Sequence, residues 1–375
     1  MVHPANFIYA GIDIHRESHS VCALDCFGQS LWEETIDNEE KGFSMLYQKI
    51  ERIAYQKKLK AVFGLEDASG SGLLLAHYLA KKGCSVKTVN PVLVDRLRKK
   101  TTHPEKSDTL DAKGVARVLI REGIDTLPNY KISQNNQFAK ELRELNNDRN
   151  YLVIEQTKLK NQLHALLSLT YSKEYKILFK NPFSQKALRY FKKNPLSQQI
   201  IQGEFPYSIE IARNRIRRKT DRLIALIPEI KEIEKEQAEV MKKTDQKIET
   251  LPGCGQVTAA AVLSEVKDIA RFHSSSALAK YAGLSPRQRS SGKSFHYQKT
   301  YSGNRRLNAA IHRIALSQIG RRGCDTAKEY YQRKVSEGKT KKQAITCLKR
   351  KLCDIVYLML KKQEVYNYQP KKLLT

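Results

Sequence analysis

No apolar run in this 375-residue chain approaches the ~20 residues that a membrane-spanning helix needs. The first residues, MVHPANFIYAG, also lack the basic-then-apolar layout of a secretion signal, so no membrane partner and a cytosolic location are expected. Cysteine is sparse and odd in number. The seven thiols stand at 22, 26, 84, 254, 324, 347 and 353 without a CxxC pair, which argues against a zinc knuckle or a dithiol redox motif. Cys22 and Cys26 share one extended segment with no second ligand pair nearby, and all seven read as reduced packing residues. Acid is short as well: 39 Asp and Glu face 67 Lys and Arg, a net charge of +28. That excess goes far beyond what solubility requires and points to a polyanion as partner.

The length suits two domains plus a connector, each able to bury a core. Phe7 to Leu24 (FIYAGIDIHRESHSVCAL) reads as a hairpin: apolar run, polar break, second β-rich run. A third strand is expected over Gln29 to Thr35, a helix over Lys41 to Gln56, a buried strand over Lys60 to Leu65, a helix over Leu73 to Lys82 and a strand over Ser85 to Val89, stopped by Asn90-Pro91. Three antiparallel strands followed by alternating helix and strand make a mixed α/β sheet with helices on its faces. Ser107 is placed to cap a helix from Asp108 to Arg121, and Gly123 to end it.

Glycine nearly vanishes between 135 and 243, where Leu142, Leu145, Leu152, Ile154, Leu159, Leu163 and Leu166 carry helical spacing. A second helical stretch runs from Ser208 to Lys243, interrupted at Pro228, and between the two lies an aromatic, lysine-rich segment broken by prolines at 182, 195 and 205. The zone reads either as a solvated connector or as a long antiparallel helix pair that dimerises or carries nucleic acid, the charge excess favouring the second. From Thr250, LPGCGQVTAAAVLSEV feeds two glycines into an alanine-rich helix start, where backbone amides can approach a phosphate. Further helices end near Lys362. The expected division is therefore 1–132, 133–245, 246–363 and a loose tail over 364–375.

Four carboxylates carry the chemistry. Asp13 sits inside the apolar strand sequence Ala10-Gly11-Ile12-Asp13-Ile14, a costly place for a charge unless a cation, donors or a basic neighbour such as Arg16 attend it. Glu66 ends the strand KAVFGL, and strand alternation allows only one of Glu66 and Asp67 to face Asp13. Asp108 and Asp111, three apart in SDTLDAK, share one face of a helix start, a position the helix dipole alone also favours. Together the four make an oxygen-rich set suited to Mg²⁺ or Mn²⁺, the ions used for phosphodiester displacement.

GIDIHRESHSV, GLEDASGSG, VNPVLVDRLRKK and KSDTLDAKGVARVL resemble the nuclease domain of the insertion sequence 110 family of transposases, relatives of the Piv and MooV invertases. ETLPGCGQVTAAAVLSEV, LAKYAGLSPRQRSSGK and GNRRLNAAIHRIAL resemble that family's second domain. The resemblance implies an N-terminal ribonuclease H-like, RuvC-like mixed sheet, a long helical connector and a mostly helical C-terminal domain. It also implies an Asp-Glu-Asp-Asp set matching Asp13, Glu66, Asp108 and Asp111, and a serine nucleophile for which Ser290 and Ser291 are the candidates. Ser291 is favoured because Gly292 lends its backbone freedom. Read without the resemblance, RQRSSGKS is an ordinary basic loop. After this step the chain reads SFHYQKTYSGNRRLN, departing from relatives that carry a second glycine.

Around the serines, Arg287, Arg289, Lys293, Lys299, Arg305 and Arg306 can hold phosphates, and Tyr281, Tyr297 and Tyr301 can stack on bases. The expectation is a recombinase that excises and inserts a mobile element through a phosphoserine link, with the carboxylates positioning metal. By resemblance, a structured bridge RNA selects donor and target DNA. Strand exchange between two duplexes requires a multimer, expected as a dimer of dimers. A structure-selective junction nuclease, needing the carboxylates but no serine, and a non-catalytic nucleic-acid-binding protein are the alternatives.

Overall fold

The computed structural model describes residues 3–66, 70–99, 107–130, 132, 134–197, 208–291, 294–298 and 302–367, with the side chains from 287 to 298 left out of the description. Two compact units emerge, Met1–Gln134 and Asn135–Thr375.

The first unit is built on strands β1 (Phe7–Ile14), β2 (Ser18–Leu24), β3 (Ser30–Asp37), β4 (Lys60–Leu65) and β5 (Ser85–Thr88). They lie in the order β3-β2-β1-β4-β5. β2 runs antiparallel to both β1 and β3, whereas β4 and β5 run parallel to β1 and to each other. This is a ribonuclease H-like mixed sheet. Helices α1 (Glu40–Lys57), α2 (Leu73–Lys81), α3 (Pro91–Arg98) and α4 (Asp108–Glu122) accompany it. Alternation along the central strands assigns the faces. Ile8, Ala10, Ile12, Phe63 and Leu65 bury against Phe43, Leu46 and Ile50 of α1, while Tyr9 and Val62 bury against Ala112, Val115, Ala116 and Leu119 of α4.

Gly11 sets how close α4 comes. A Cβ added there would stand 2.2 Å from the Ala112 carbonyl oxygen and 2.3 Å from the Ala116 nitrogen, so the helix backbone lies directly on β1. The first turn of α4 is thereby held over the C-terminal end of that strand. Ser107 caps this helix through an Oγ that accepts from Leu110 N, and Gly123, at φ 80°, ends it. Asn90-Pro91, read as a stop, does more than end β5: Asn90 accepts from Val92 N and Pro91 opens α3, since a first-turn proline needs no N–H.

In the second unit, α5 (Gln134–Tyr171) and α8 (Ile209–Lys242) run antiparallel, with α6 (Glu174–Leu178) and α7 (Gln185–Lys193) between them in sequence. Their cross-links fix the direction. Gln237 Nε2 donates to Asn146 Oδ1 at 3.1 Å, Arg149 pairs with Glu234 at 2.7 Å and Arg222 with Glu155 at 2.8 Å, so one number falls as the other rises. The aromatic segment folds back onto the pair. Tyr175, Ala187, Leu188 and Phe191 bury with Leu163, Leu167, Ile216 and Leu223. Pro228 does not interrupt α8, whose neighbouring Leu226 and Ile230 are both buried.

The remainder comprises α9 (Gln256–Val266), α10 (Ser275–Tyr281), the hairpin β6 (Arg287–Ser291) and β7 (Ser294–Gln298), then α11 (Arg305–Ile319), α12 (Asp325–Ser336) and α13 (Lys341–Lys362). Phe138, Leu142 and Val240 of the long pair share one core with Ala259, Leu263, Ile311, Ile314, Leu352 and Val356. All seven cysteines are free, and burial pushes the Cys22 thiol up to about 11 and those of Cys254 and Cys353 up to about 12. No helix among the described residues is long and apolar enough to cross a membrane.

Candidate nuclease centre and serine hairpin

Asp13 is the seventh residue of β1 and only 9% exposed. It shares strand parity with Gly11 and so faces α4. Asp108 opens that helix. His15, just past the strand, brings the two together: its Nε2 lies 3.2 Å from Asp13 Oδ2 and 3.3 Å from Asp108 Oδ2. One ligand atom from each of the three residues falls within 4.8 Å of the others. Asp111, on the same helix face, is held from the side by α3, where Arg98 Nη1 donates to its Oδ1 at 3.2 Å and Nη2 to Asp95 Oδ1 at 2.9 Å.

Glu66 follows β4. Ile12 pairs with Leu65, which sets Glu66 level with Asp13 on the adjoining strand. It also continues the parity of Val62 and Gly64, both of which meet α4. Its competitor Asp67 lies outside the described residues.

Burial pushes the Asp13 carboxyl above its ordinary range; Asp111 and Asp108 push the same way, while His15 opposes them. Asp13 is therefore a buried carboxylate crowded by like charge. An anion-rich oxygen set of this kind fits a hard divalent cation. His15 and Arg98 are the two members of the centre that sequence reasoning missed. His15 was within reach of it, being two residues from Asp13 with the same strand parity; Arg98 was not, because its contact depends on how α3 packs against α4.

In the second unit, Ser290 pairs with Phe295 and Ser291 with Ser294, at the turn end of the hairpin. Arg287, Arg289 and Tyr297 lie on the same two strands, opposite Gln298, His296 and Gln288. Lys293, Lys299 and Tyr301 lie outside the described residues. Arg305 and Arg306 open α11 with exposed side chains, Arg306 approaching the buried Glu265 at 3.7 Å. Tyr281 is half-buried: Arg271 sits 4.7 Å over its ring, and its hydroxyl accepts from Asn304 Nδ2 at 2.9 Å. In the turn before α9, Gly253 packs against Ser317 and Pro252 O accepts from Gln318, which docks the turn on α11.

Residues 10–172 match the DEDD domain of IS110 elements, described as a transposase, and residues 245–332 match the family described as Transposase IS116/IS110/IS902. The chain belongs to the IS110 family of transposases. The first match contains all four carboxylates and the second contains both serines. Relatives of this transposase align along almost its whole length. An uncharacterized 44.8 kDa protein of insertion element IS116 from Streptomyces clavuligerus is 27% identical, over 97% of each chain. A pilin gene-inverting protein from Moraxella bovis is 25% identical, over 96% of this chain and 97% of its own. The transposase for element IS1111A of Coxiella burnetii is 23% identical, over 95% and 90%. The transposase is accordingly an enzyme that acts on DNA.

Proposed function

We propose that this transposase excises and inserts its own mobile element by Mg²⁺- or Mn²⁺-dependent strand cleavage, with Ser291 forming a covalent phosphoserine intermediate and Ser290 the second candidate. The reading is carried by the convergence of Asp13 and Asp108 on His15, with Asp111 on the same helix face and Glu66 level with Asp13. A divalent ion held by these carboxylates would offset the charge that develops on a scissile phosphate. The protein's own part is to fix the holders: Gly11 and the Ser107 cap seat α4, and Arg98 orients Asp111. The Ser291 hydroxyl gives up its proton as its oxygen bonds to phosphorus, and one bridging oxygen leaves as a strand-end hydroxyl. The phosphoserine link retains the phosphodiester's energy, so a hydroxyl from another strand can reverse the step without ATP.

Arg287, Arg289, Lys293, Lys299, Arg305 and Arg306 would hold flanking phosphates, with Tyr281, Tyr297 and Tyr301 beside them. The resemblance to the family supports a structured guide RNA that selects donor and target, and the net charge of +28 is compatible with carrying it. Exchange between two duplexes needs several active sites, hence a homo-oligomer, proposed as a dimer of dimers, acting in the cytoplasm.

The test is to trap a protein–DNA adduct on a labelled donor junction with the full chain and to locate the attached residue by mass spectrometry. Ser291→Ala should lose the adduct, and Asp13→Asn should lose cutting. If metal-dependent cutting survives unchanged in both Ser291→Ala and Ser290→Ala, the protein is a junction-type nuclease instead. DNA binding without any cutting would leave only a binding protein.

A further inference from the structure

We infer that a basic cavity at the base of the serine hairpin binds one phosphodiester of the DNA strand, held by Lys349, His312 and Arg305. The assignment rests on the transposase acting on DNA and adds to it a site whose floor comes from α13, far along the chain from the hairpin.

The cavity measures about 360 Å³, within the usual range of ligand pockets. Its mouth is formed where the chain leaves for β6, at Ala282 and Gly283, and where it returns from β7, at Ser302 and Gly303. These two legs are clamped together. Both glycines have positive φ, and a Cβ on Gly303 would stand 2.6 Å from the Gly283 nitrogen. Tyr281 O also accepts from Asn304 N at 2.7 Å. Anything bound here therefore sits at the root of the ribbon that carries Ser290 and Ser291.

The walls are the first two turns of α11, and Lys349 is only 9% exposed. Its ammonium donates to Asn308 Oδ1 at 2.5 Å, and Asn308 is itself aimed by a bond from Nδ2 to Ala282 O at 2.8 Å. His312 lies one turn beyond Asn308, and both burial and Lys349 hold its imidazole below the ordinary histidine range. Arg305 is exposed at the rim. The described lining contains no carboxylate. The nearby acid, Glu265, is already turned to Asn304 at 2.6 Å and to Arg306.

The cations of Lys349 and Arg305, brought to one part-buried pocket, set up a positive field that attracts an anion. The start of α11 adds its own positive end to that field. The described lining, small residues and cationic donors with no Phe, Tyr or Trp among them, suits a phosphate oxygen rather than a stacked base.

The experiment uses the full chain and an element-end DNA carrying one neutral methylphosphonate at successive positions, with affinity read by fluorescence anisotropy. Wild type should lose about tenfold at one position. Lys349→Gln should bind unmodified DNA about tenfold more weakly, show a salt dependence shallower by about one unit, and no longer respond to that methylphosphonate. Arg305→Gln, at an exposed site, should show the same loss of response and serves if the buried variant does not fold. The inference is overturned if wild type binds DNA yet responds at no position, or if both variants keep the full penalty. It is also overturned if the response appears only on a structured RNA scanned in the same way. Failure of wild type to bind DNA at all would instead strike at the DNA-recombination reading itself.

Discussion

Gly11→Ala is the most direct test of how the centre is assembled. The new Cβ would meet the Ala112 carbonyl oxygen at 2.2 Å, about 1.2 Å inside the 3.4 Å at which van der Waals contact becomes ordinary, and the Ala116 nitrogen at 2.3 Å. Both obstacles are backbone, so no rotamer change relieves them; α4 must move off β1 by roughly 1 Å. Overpacking of this kind costs ~1–3 kcal/mol. The same displacement carries Asp108 and Asp111 away from Asp13, and a misplacement of ~1 Å in catalytic geometry costs on the order of 100-fold in rate. Metal-dependent cleavage of a labelled element end and a thermal melt give the two readouts. Gly64→Ala is the control, because its Cβ meets the flexible end of Leu119 at 2.9 Å and should be milder in both. Cleavage by Gly11→Ala within a few-fold of wild type, at an unchanged melting temperature, would refute the close-approach argument.

Two further outcomes follow from buried polar groups. Asn146 accepts from Gln237 and donates to the Ser264 hydroxyl at 3.2 Å, so Asn146→Leu should cost about 1–3 kcal/mol in urea unfolding, and adding Gln237→Leu should recover part of it. His19 is fully buried, its Nε2 against Asn38 Oδ1, and burial holds its pKa below 6.5. The unfolded chain therefore binds a proton that the native state resists, and stability should fall as pH drops from 6.5 toward the native pKa. His19→Gln should flatten that dependence in melts taken across the window.

What could be read from the sequence was mostly local. Ser107, Asp108 and Asp111 lie within five residues, and a cap, a helix start and a shared face are fixed by neighbours alone. Alternation along KAVFGLE leaves Glu66 and Asp67 as alternatives, and it is the register of β4 against β1, which the sequence does not carry, that sets Glu66 level with Asp13. Arg98 was not readable either, because nothing in VNPVLVDRLRKK says that α3 will lie against Asp111; that contact belongs to tertiary packing. Pro228 was misread because a proline's missing donor was weighed alone. An interior proline costs roughly 3 kcal/mol. Here Leu226 and Ile230 bury on either side, and Arg222 reaches Glu155 and Glu229. The aromatic, lysine-rich stretch after 172 reads from sequence only as a segment broken by prolines; Tyr175 and Phe191 anchor it to the long helices, an outcome set by a partner surface far along the chain.

His15 brings the argument back to charge. It touches two carboxylates in a centre where burial and like charges already hold Asp13 above its ordinary range. Two roles are open to an imidazole there. As a ligand it would favour zinc, copper, iron or nickel, whereas carboxylates alone suit magnesium or manganese. The donor set around it is carboxylate, so the role that fits is a counter-charge standing between Asp13 and Asp108. His15→Gln should then raise the Asp13 pKa further, because the group that lowers it is gone. An acid whose folded pKa is raised loses stability as pH climbs from its unfolded value, near 3.8, through the folded one, so the variant should lose more stability than wild type across that window. With more uncompensated negative charge, it should also gain more melting temperature from added magnesium than wild type does. An equal or smaller gain would mean that the imidazole itself holds the ion, and the counter-charge argument would fail.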